Sequence, residues 1–318
     1  MVGNRSLQVR HGSFQRGTRH GLKLADHAQV GVLGRGLSLE KAGTNLETKM
    51  QTMEKGTIAI TGGAGGLGSS CAHALKDHQL VITDHSAEAV ERVVAQLMSK
   101  GIDAVGFACD LTNEKAVQEL KEFIRRQGRF KGLVHTAGVS GTVGDPRKVF
   151  TINLQATAIL VDTFHELACT GSAFVLFASM MGHSIPPDPR YDDALRNPCQ
   201  AGAFATIEPF IGGSADTMYN FSKRGVMLIC KDNAMRYGKQ GARIVTVSPG
   251  VIMTAMAKKA LEEHPAVMKQ TLDMTPVGRY GQPQDVANLV KFLLSEEAGF
   301  ITGTDVAVDG GVLSQILK

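Results

Sequence analysis

The chain has 318 residues, 43% of them hydrophobic and 5% aromatic with no Trp, and a formal net charge of +4. That length permits two domains, though α/β folds often fill it as one; no basic stripe interleaved with aromatics supports nucleic-acid binding, and no apolar run reaches the roughly eighteen residues of a membrane span. The cysteines (Cys71, Cys109, Cys169, Cys199 and Cys230) are odd in number and never in C-x-x-C spacing, which argues against a disulfide framework or a zinc site, so no metal is expected, and a soluble cytoplasmic protein is.

Residues 1–54 differ in composition from the rest of the chain. Up to Leu39 six Lys or Arg stand against one Asp, with little apolar periodicity. The stretch reads as a disordered or non-native extension. An Arg-rich, acid-poor leader is also the composition of an organelle transit peptide, and Met50 and Met53 allow an upstream translation start. One folded domain is expected over residues 55–318.

It opens with the apolar run Thr57–Ile60, then T-G-G-A-G-G-L-G at Thr61–Gly68, then helical apolar spacing over Leu67–Leu75. Strand, glycine turn and helix in that order are the pattern of a dinucleotide-binding unit. Glycine lets the backbone approach a pyrophosphate, and the N–H groups at the helix start receive its charge. A second run, Leu80–Thr83, ends at Asp84, 22 positions after Gly62. A carboxylate there accepts hydrogen bonds from ribose hydroxyls and repels a 2′-phosphate, so NAD is expected over NADP.

Further elements come in alternation: helix Ser86–Lys100, strand Ala104–Ala108, helix Lys115–Arg126 with Thr112 as its N-cap, and strand Gly132–His135 leading into Thr136-Ala137-Gly138. A helix over about Asp145–Cys169 contains Asn153, and strand Ala173–Phe177 leads into Ser179. This alternation implies a parallel sheet with right-handed crossovers. Tyr219 opens an apolar helix with Lys223 four positions on, on the same face. An ammonium beside a phenol favours the phenolate and makes it a usable acid or base near neutrality. Ile244–Val247 and Val306–Val308 are the last strands, with helix Pro283–Leu294 between them.

These motifs together resemble the short-chain dehydrogenases/reductases, from about Lys55 to the C-terminus. The match is carried by Thr61–Gly68, Asp84, Asp110, Ala137-Gly138, Asn153, Ser179, Tyr219-x-x-x-Lys223 and Ser248-Pro249-Gly250, with Pro276–Arg279 and Asp309-Gly310-Gly311 behind them. The resemblance implies a doubly wound Rossmann fold with a parallel sheet of about seven strands. It implies that Tyr219 exchanges a proton with the substrate oxygen, Ser179 orients that oxygen, Lys223 holds ribose hydroxyls and lowers the Tyr219 pKa, and Asn153 positions a relay water. It places Gly62, Gly66, Leu67 and Gly68 against the pyrophosphate, and Asp110 and Leu111 against adenine. Ala137 and Gly138 border the coenzyme, and Pro249, Gly250, Ile252 and Thr254 the nicotinamide.

Two departures stand out. Thr136 replaces the family's usual Asn, which has longer reach; tuning is expected rather than loss. Ser179 and Tyr219 lie 40 positions apart, an excess held in an insertion at about residues 183–218, and so long a connection tends to be functional or mobile. It carries half of the chain's ten prolines and enough apolar groups (Phe204, Ile207, Phe210 and Ile211) to pack as a cover. A similar insertion occurs in the family's 3α-hydroxysteroid dehydrogenase/carbonyl reductase branch, near the substrate and the subunit contact; a passive surface loop is the alternative. Residues Thr254–Thr275 fall where the family keeps a mobile segment over the substrate, and Met253, Met256, Met268 and Met274 there read as core packing ahead of an adaptable pocket lining.

The expected function is NAD-dependent interconversion of a secondary alcohol and a ketone, on an apolar, steroid-like small molecule. An NADPH-dependent carbonyl or 3-oxoacyl-type reductase and a non-catalytic NAD(H)-sensing protein are the rivals. The resemblance implies a homodimer or homotetramer built through two helices and the C-terminal strand.

Overall fold

Seven short apolar runs form the strands of one parallel sheet: β1 Thr57–Thr61, β2 Gln79–Asp84, β3 Ala104–Ala108, β4 Phe130–His135, β5 Ala173–Phe177, β6 Arg243–Pro249 and β7 Asp305–Val308. The computed structural model describes residues 55–317 except His264, without the side chains of Met256, Lys259 and Ala260. The expectations for residues 1–54 fall outside the described residues. Spatial order is β3-β2-β1-β4-β5-β6-β7, and every neighbouring pair is parallel. The order reverses between β1 and β4, so a crevice opens beyond their carboxyl ends. Thr61↔His135 is the last pair of that register.

Helices cover both faces: α1 Gly66–Ala74, α2 Ala87–Met98, α3 Glu114–Arg125, α4 Pro146–Phe150, α5 Ala156–Phe164, α6 Pro189–Arg196, α7 Ala203–Ile211, α8 Ala215–Gly238, α9 Ala255–Glu263, α10 Pro265–Asp273, α11 Pro283–Leu294 and α12 Leu313–Ile316. Central strands buried on both faces, such as Ala-Phe-Val-Leu-Phe in β5, feed two cores. One packs the sheet against α3, α5 and α8, the other against α1, α2 and α11.

Several boundaries differ from the sequence reading. Asn113, not Thr112, caps α3: its side chain accepts from Ala116 N at 3.2 Å, while the Thr112 hydroxyl is held by Asp110 Oδ1 at 2.7 Å. The helix carrying Tyr219 starts earlier, at Ala215, capped by Ser214. The expected helix over Asp145–Cys169 is interrupted: a π turn, Thr151–Gln155, separates α4 from α5, and a 3₁₀ turn ends the run. The insertion is neither a loop nor a flap over the site. It forms α6 and α7, whose Leu195, Phe204, Ile207 and Ile211 join the core on the α8 side. Asp188 caps α6 with Pro189 at its first position, and Arg224 of α8 clasps Asp192 of α6 at 2.5 and 2.8 Å.

Candidate active site

The glycine turn leaves β1 through Gly62, whose φ is +67°; a Cβ there would lie 2.6 Å from Ala137 N. A Cβ on Gly68 would strike the Gly62 carbonyl oxygen. Glycine is thus required at both positions for the turn to close against β4. No side chain caps α1 at Gly65, so its first amides are free to meet an anion. Thr136 supports the turn by donating to the carbonyls of Thr61 and Gly62, at 2.8 and 3.1 Å. Its shorter side chain still clasps β1, so the change from Asn keeps the local support.

A groove of about 800 Å³ runs from this turn across the ends of β2 and β3, lined by Gly62, Asp84, Asp110, Leu111, Ala137 and Gly138 among others. Asp84 is fixed at its edge: Oδ2 accepts from Ala64 N at 3.2 Å, and Oδ1 from His85 N at 2.9 Å. Gly66 and Gly68 shape the turn without lining the groove. Arg147 and Lys148 of α4 also reach the groove, with the Arg147 guanidinium stacked 3.9 Å over the Phe204 ring of the insertion. Neither carries a signal in the sequence, because the contact is made by tertiary packing.

A second cavity of about 380 Å³ adjoins the groove at Gly138. Ser179, Tyr219, Lys223, Leu67, Pro249, Gly250, Ile252 and Thr254 line it, with Val139, Met180, Met181, Ala257 and Met268 forming an apolar wall. Sequence reasoning missed Met180 and Met181, although they directly follow Ser179. Of the four methionines noted in residues 254–275 and beside them, Met268 lines this cavity and Met253 and Met274 do not; the Met256 side chain is outside the described residues. The expected mobile cover is built as α9 and α10, with Thr254 oxygens accepting from Ala257 N and Lys258 N at the start of α9. No residue between Ile185 and Met218 lines the cavity, so the insertion acts on the site from behind.

The polar groups converge from two places, the end of β5 and α8. Ser179 follows β5 and caps a 3₁₀ turn, its Oγ accepting from Met181 N at 3.2 Å, which leaves its own proton to give. It hydrogen-bonds Tyr219. Lys223, one turn along α8, is buried and donates to Phe177 O at 2.9 Å, with Nζ 5.6 Å from the Tyr219 ring centre. Burial lowers the Lys223 pKa to about 8. Tyr219 is shifted upward, because removal from water outweighs the Ser179 hydrogen bond. The expected depression of the Tyr219 pKa by Lys223 is therefore not what this geometry gives: the ammonium lies across the ring, not at the hydroxyl.

Asn153 sits inside the π turn, a kind of interruption common at functional sites. Its Oδ1 accepts from Val139 N at 2.7 Å, and its Nδ2 donates to Val139 O at 2.8 Å and Ser222 Oγ at 3.3 Å. The side chain therefore ties the end of β4 to α8, behind Lys223, and lines neither cavity.

Comparison with known proteins accords with this geometry. Residues 56–186 match the family profile described as short chain dehydrogenase, and residues 204–313 that described as Enoyl-(Acyl carrier protein) reductase. The 7alpha-hydroxysteroid dehydrogenase of Bacteroides fragilis is 32% identical over 271 residues, covering 83% of this chain and 96% of that protein. The chain belongs to the short-chain dehydrogenase family. A second relative of this short-chain dehydrogenase is 2-(S)-hydroxypropyl-CoM dehydrogenase 3 of Xanthobacter autotrophicus, 30% identical over 264 residues, 80% of this chain and 95% of that one. The solved structure of a 7 alpha-hydroxysteroid dehydrogenase complexed with NADH and 7-oxo glycochenodeoxycholic acid shares the fold, with a TM-score of 0.65 at 24% identity over 81% of this chain and 94% of that one. As a family member, the protein is an oxidoreductase of alcohol and carbonyl groups.

Proposed function

We propose that this short-chain dehydrogenase interconverts uncharged, largely apolar secondary alcohols and ketones, steroid-like molecules among them, with NAD as coenzyme. The observation that carries the reading is that Ser179, Tyr219 and Lys223 together line an apolar cavity that adjoins the groove at Gly138. The groove suits a dinucleotide: it begins at an uncapped helix start and ends at the Asp84 carboxylate. A nicotinamide coenzyme supplies or accepts the hydride at the carbinol carbon.

This chain's residues manage the proton and the geometry. Ser179 donates to the substrate oxygen and orients it, and Tyr219 Oη takes the hydroxyl proton in oxidation or returns it in reduction. Lys223 spends one N–H on Phe177 O, which leaves two for ribose hydroxyls. Among the described residues, Lys223 is the sole Lys or Arg lining the cavity, so it offers no obvious anchor for a phosphate or carboxylate on the substrate. The five unpaired cysteines fit a reducing cytoplasm.

Asp84 supports NAD, since a 2′-phosphate beside it would set like charges against each other. Arg147 and Lys148 in the same groove favour the rival NADPH reading. Coenzyme titration decides between them. NADH emission can be followed directly, because the chain has no Trp to report by energy transfer. The expected result is NADH binding at least roughly tenfold tighter than NADPH, a gap of about 1.4 kcal/mol, that narrows in Asp84→Ser; tighter NADPH binding would overturn the NAD assignment.

The protein is further proposed to be a homodimer. The side of α4 and α8 that faces the insertion is covered by α6 and α7 through Phe150–Phe204 and Tyr191–Phe221 ring contacts. Among the described residues β7 is an edge strand of the sheet, and Phe300, five positions before its first residue, is fully exposed.

A further inference from the structure

His135, the last residue of β4, is fully buried between two hydroxyls. Thr61 Oγ1 lies 2.6 Å from Nδ1, and Thr157 Oγ1 lies 2.9 Å from Nε2. The Thr157 hydroxyl donates its one proton to the Asn153 carbonyl at 2.7 Å. Its oxygen must therefore accept from the ring, which places the ring hydrogen on Nε2. Nδ1 is then an acceptor and Thr61 a donor. The bonds run in one direction, from the residue before Gly62 to the carbonyl inside the π turn.

We propose that His135 is a positioning residue for the reaction: held as the Nε2–H tautomer, it fixes Thr157 and through it the Asn153 carbonyl, so that the π turn keeps Asn153 braced between Val139 and α8. The proposal rests on the hydride-transfer reading for its kinetic part only. A histidine that merely filled space could be exchanged for an apolar residue at the cost of packing. Here that exchange leaves the buried Thr61 hydroxyl without an acceptor and removes the donor that holds Thr157 in place against the Asn153 carbonyl. Burial, with the Lys223 ammonium adding to it, pushes the His135 pKa down to about 3, consistent with a ring that stays uncharged.

Two isopolar substitutions separate the ring's two bonds. In His135→Gln the amide nitrogen reaches the place of Nε2 and keeps the donation to Thr157. In His135→Asn the shorter side chain reaches only the place of Nδ1 and loses it. Expected are near-native kcat in His135→Gln and a fall of roughly ten- to a hundredfold in His135→Asn, with NADH affinity held in both. Thr157→Val reproduces the loss, and combining it with His135→Asn adds little further. Equal losses in both His135 variants, or losses that track NADH affinity and melting temperature, would overturn the positioning role.

A readout independent of turnover is the ¹H–¹⁵N spectrum. The ring of His135 should show the Nε2–H tautomer, and the Asn153 side-chain amide should shift in His135→Asn but stay in place in His135→Gln. The opposite tautomer, or an Asn153 resonance indifferent to His135→Asn, would overturn the proposal even if no substrate were turned over. Absence of turnover with these spectra as expected would instead count against the hydride-transfer reading.

Discussion

His135 binds a proton at about pH 3 when folded and at its ordinary 6.5 when unfolded. Between those values the unfolded chain holds the extra proton, so stability falls as pH drops through the window. From about pH 6.5 to about 4.5 this one group contributes a loss of about 2 kcal/mol. Urea midpoints measured at the two pH values should show that loss, and His135→Gln should remove most of it; an unchanged slope in the variant would contradict the assignment. The residue scale was only partly legible in the sequence. The four-residue spacing of Tyr219 and Lys223 puts them on one helical face but is common by chance, and they stand out, as Asp84 does by its distance from the glycine turn, only in combination with the other motifs. His135 could not be read, because its partners Thr61 and Thr157 are far away in sequence and meet it only through the sheet register. The direction of the Tyr219 shift was misread for a related reason: spacing puts two side chains on one face but does not say how deeply the phenol is buried.

The elements show where periodicity stops being informative. Strands and amphipathic helices of the nucleotide half were legible because apolar residues recur at periods that burial enforces. The π turn was not, since Thr151–Gln155 keeps helical chain direction and inserts one extra residue without a change in polarity. The insertion was read as a cover over the site, with a passive surface loop as the alternative, and its two helices were not seen because prolines interrupt its periodicity. Pro189 in fact starts α6, where its missing N–H costs nothing, and Pro209 lies on the exposed side of α7. Ile207 of α7 is fully buried in the main core. Ile207→Ala should therefore cost about 2–5 kcal/mol in denaturant unfolding. A change within about 0.5 kcal/mol would mean that α6 and α7 are a passive surface addition.

The whole molecule was the most legible level, since alternating strands and helices leave few topologies with right-handed crossovers. Where copies meet depends on surface left over after folding, which a motif does not describe. Light scattering should give a dimer, and Phe300→Asp should shift it toward monomer with the native far-UV spectrum kept; a tetramer indifferent to that change would contradict assembly through the C-terminal side. The architecture brings the groove and an apolar cavity together at Gly138, with Tyr219 lining the cavity, and the central claim is that hydride passes between a coenzyme in the first and a substrate in the second. The most direct measurement supplies NAD⁺ with secondary alcohols deuterated at the carbinol carbon, steroids and cyclohexanol included, and reads the nicotinamide by mass spectrometry. The account predicts deuterium on the reduced coenzyme with the native protein, and a loss of roughly a thousandfold or more in its rate of appearance with Tyr219→Phe. Deuterium appearing equally fast with Tyr219→Phe, or reduced coenzyme that carries none, would contradict it.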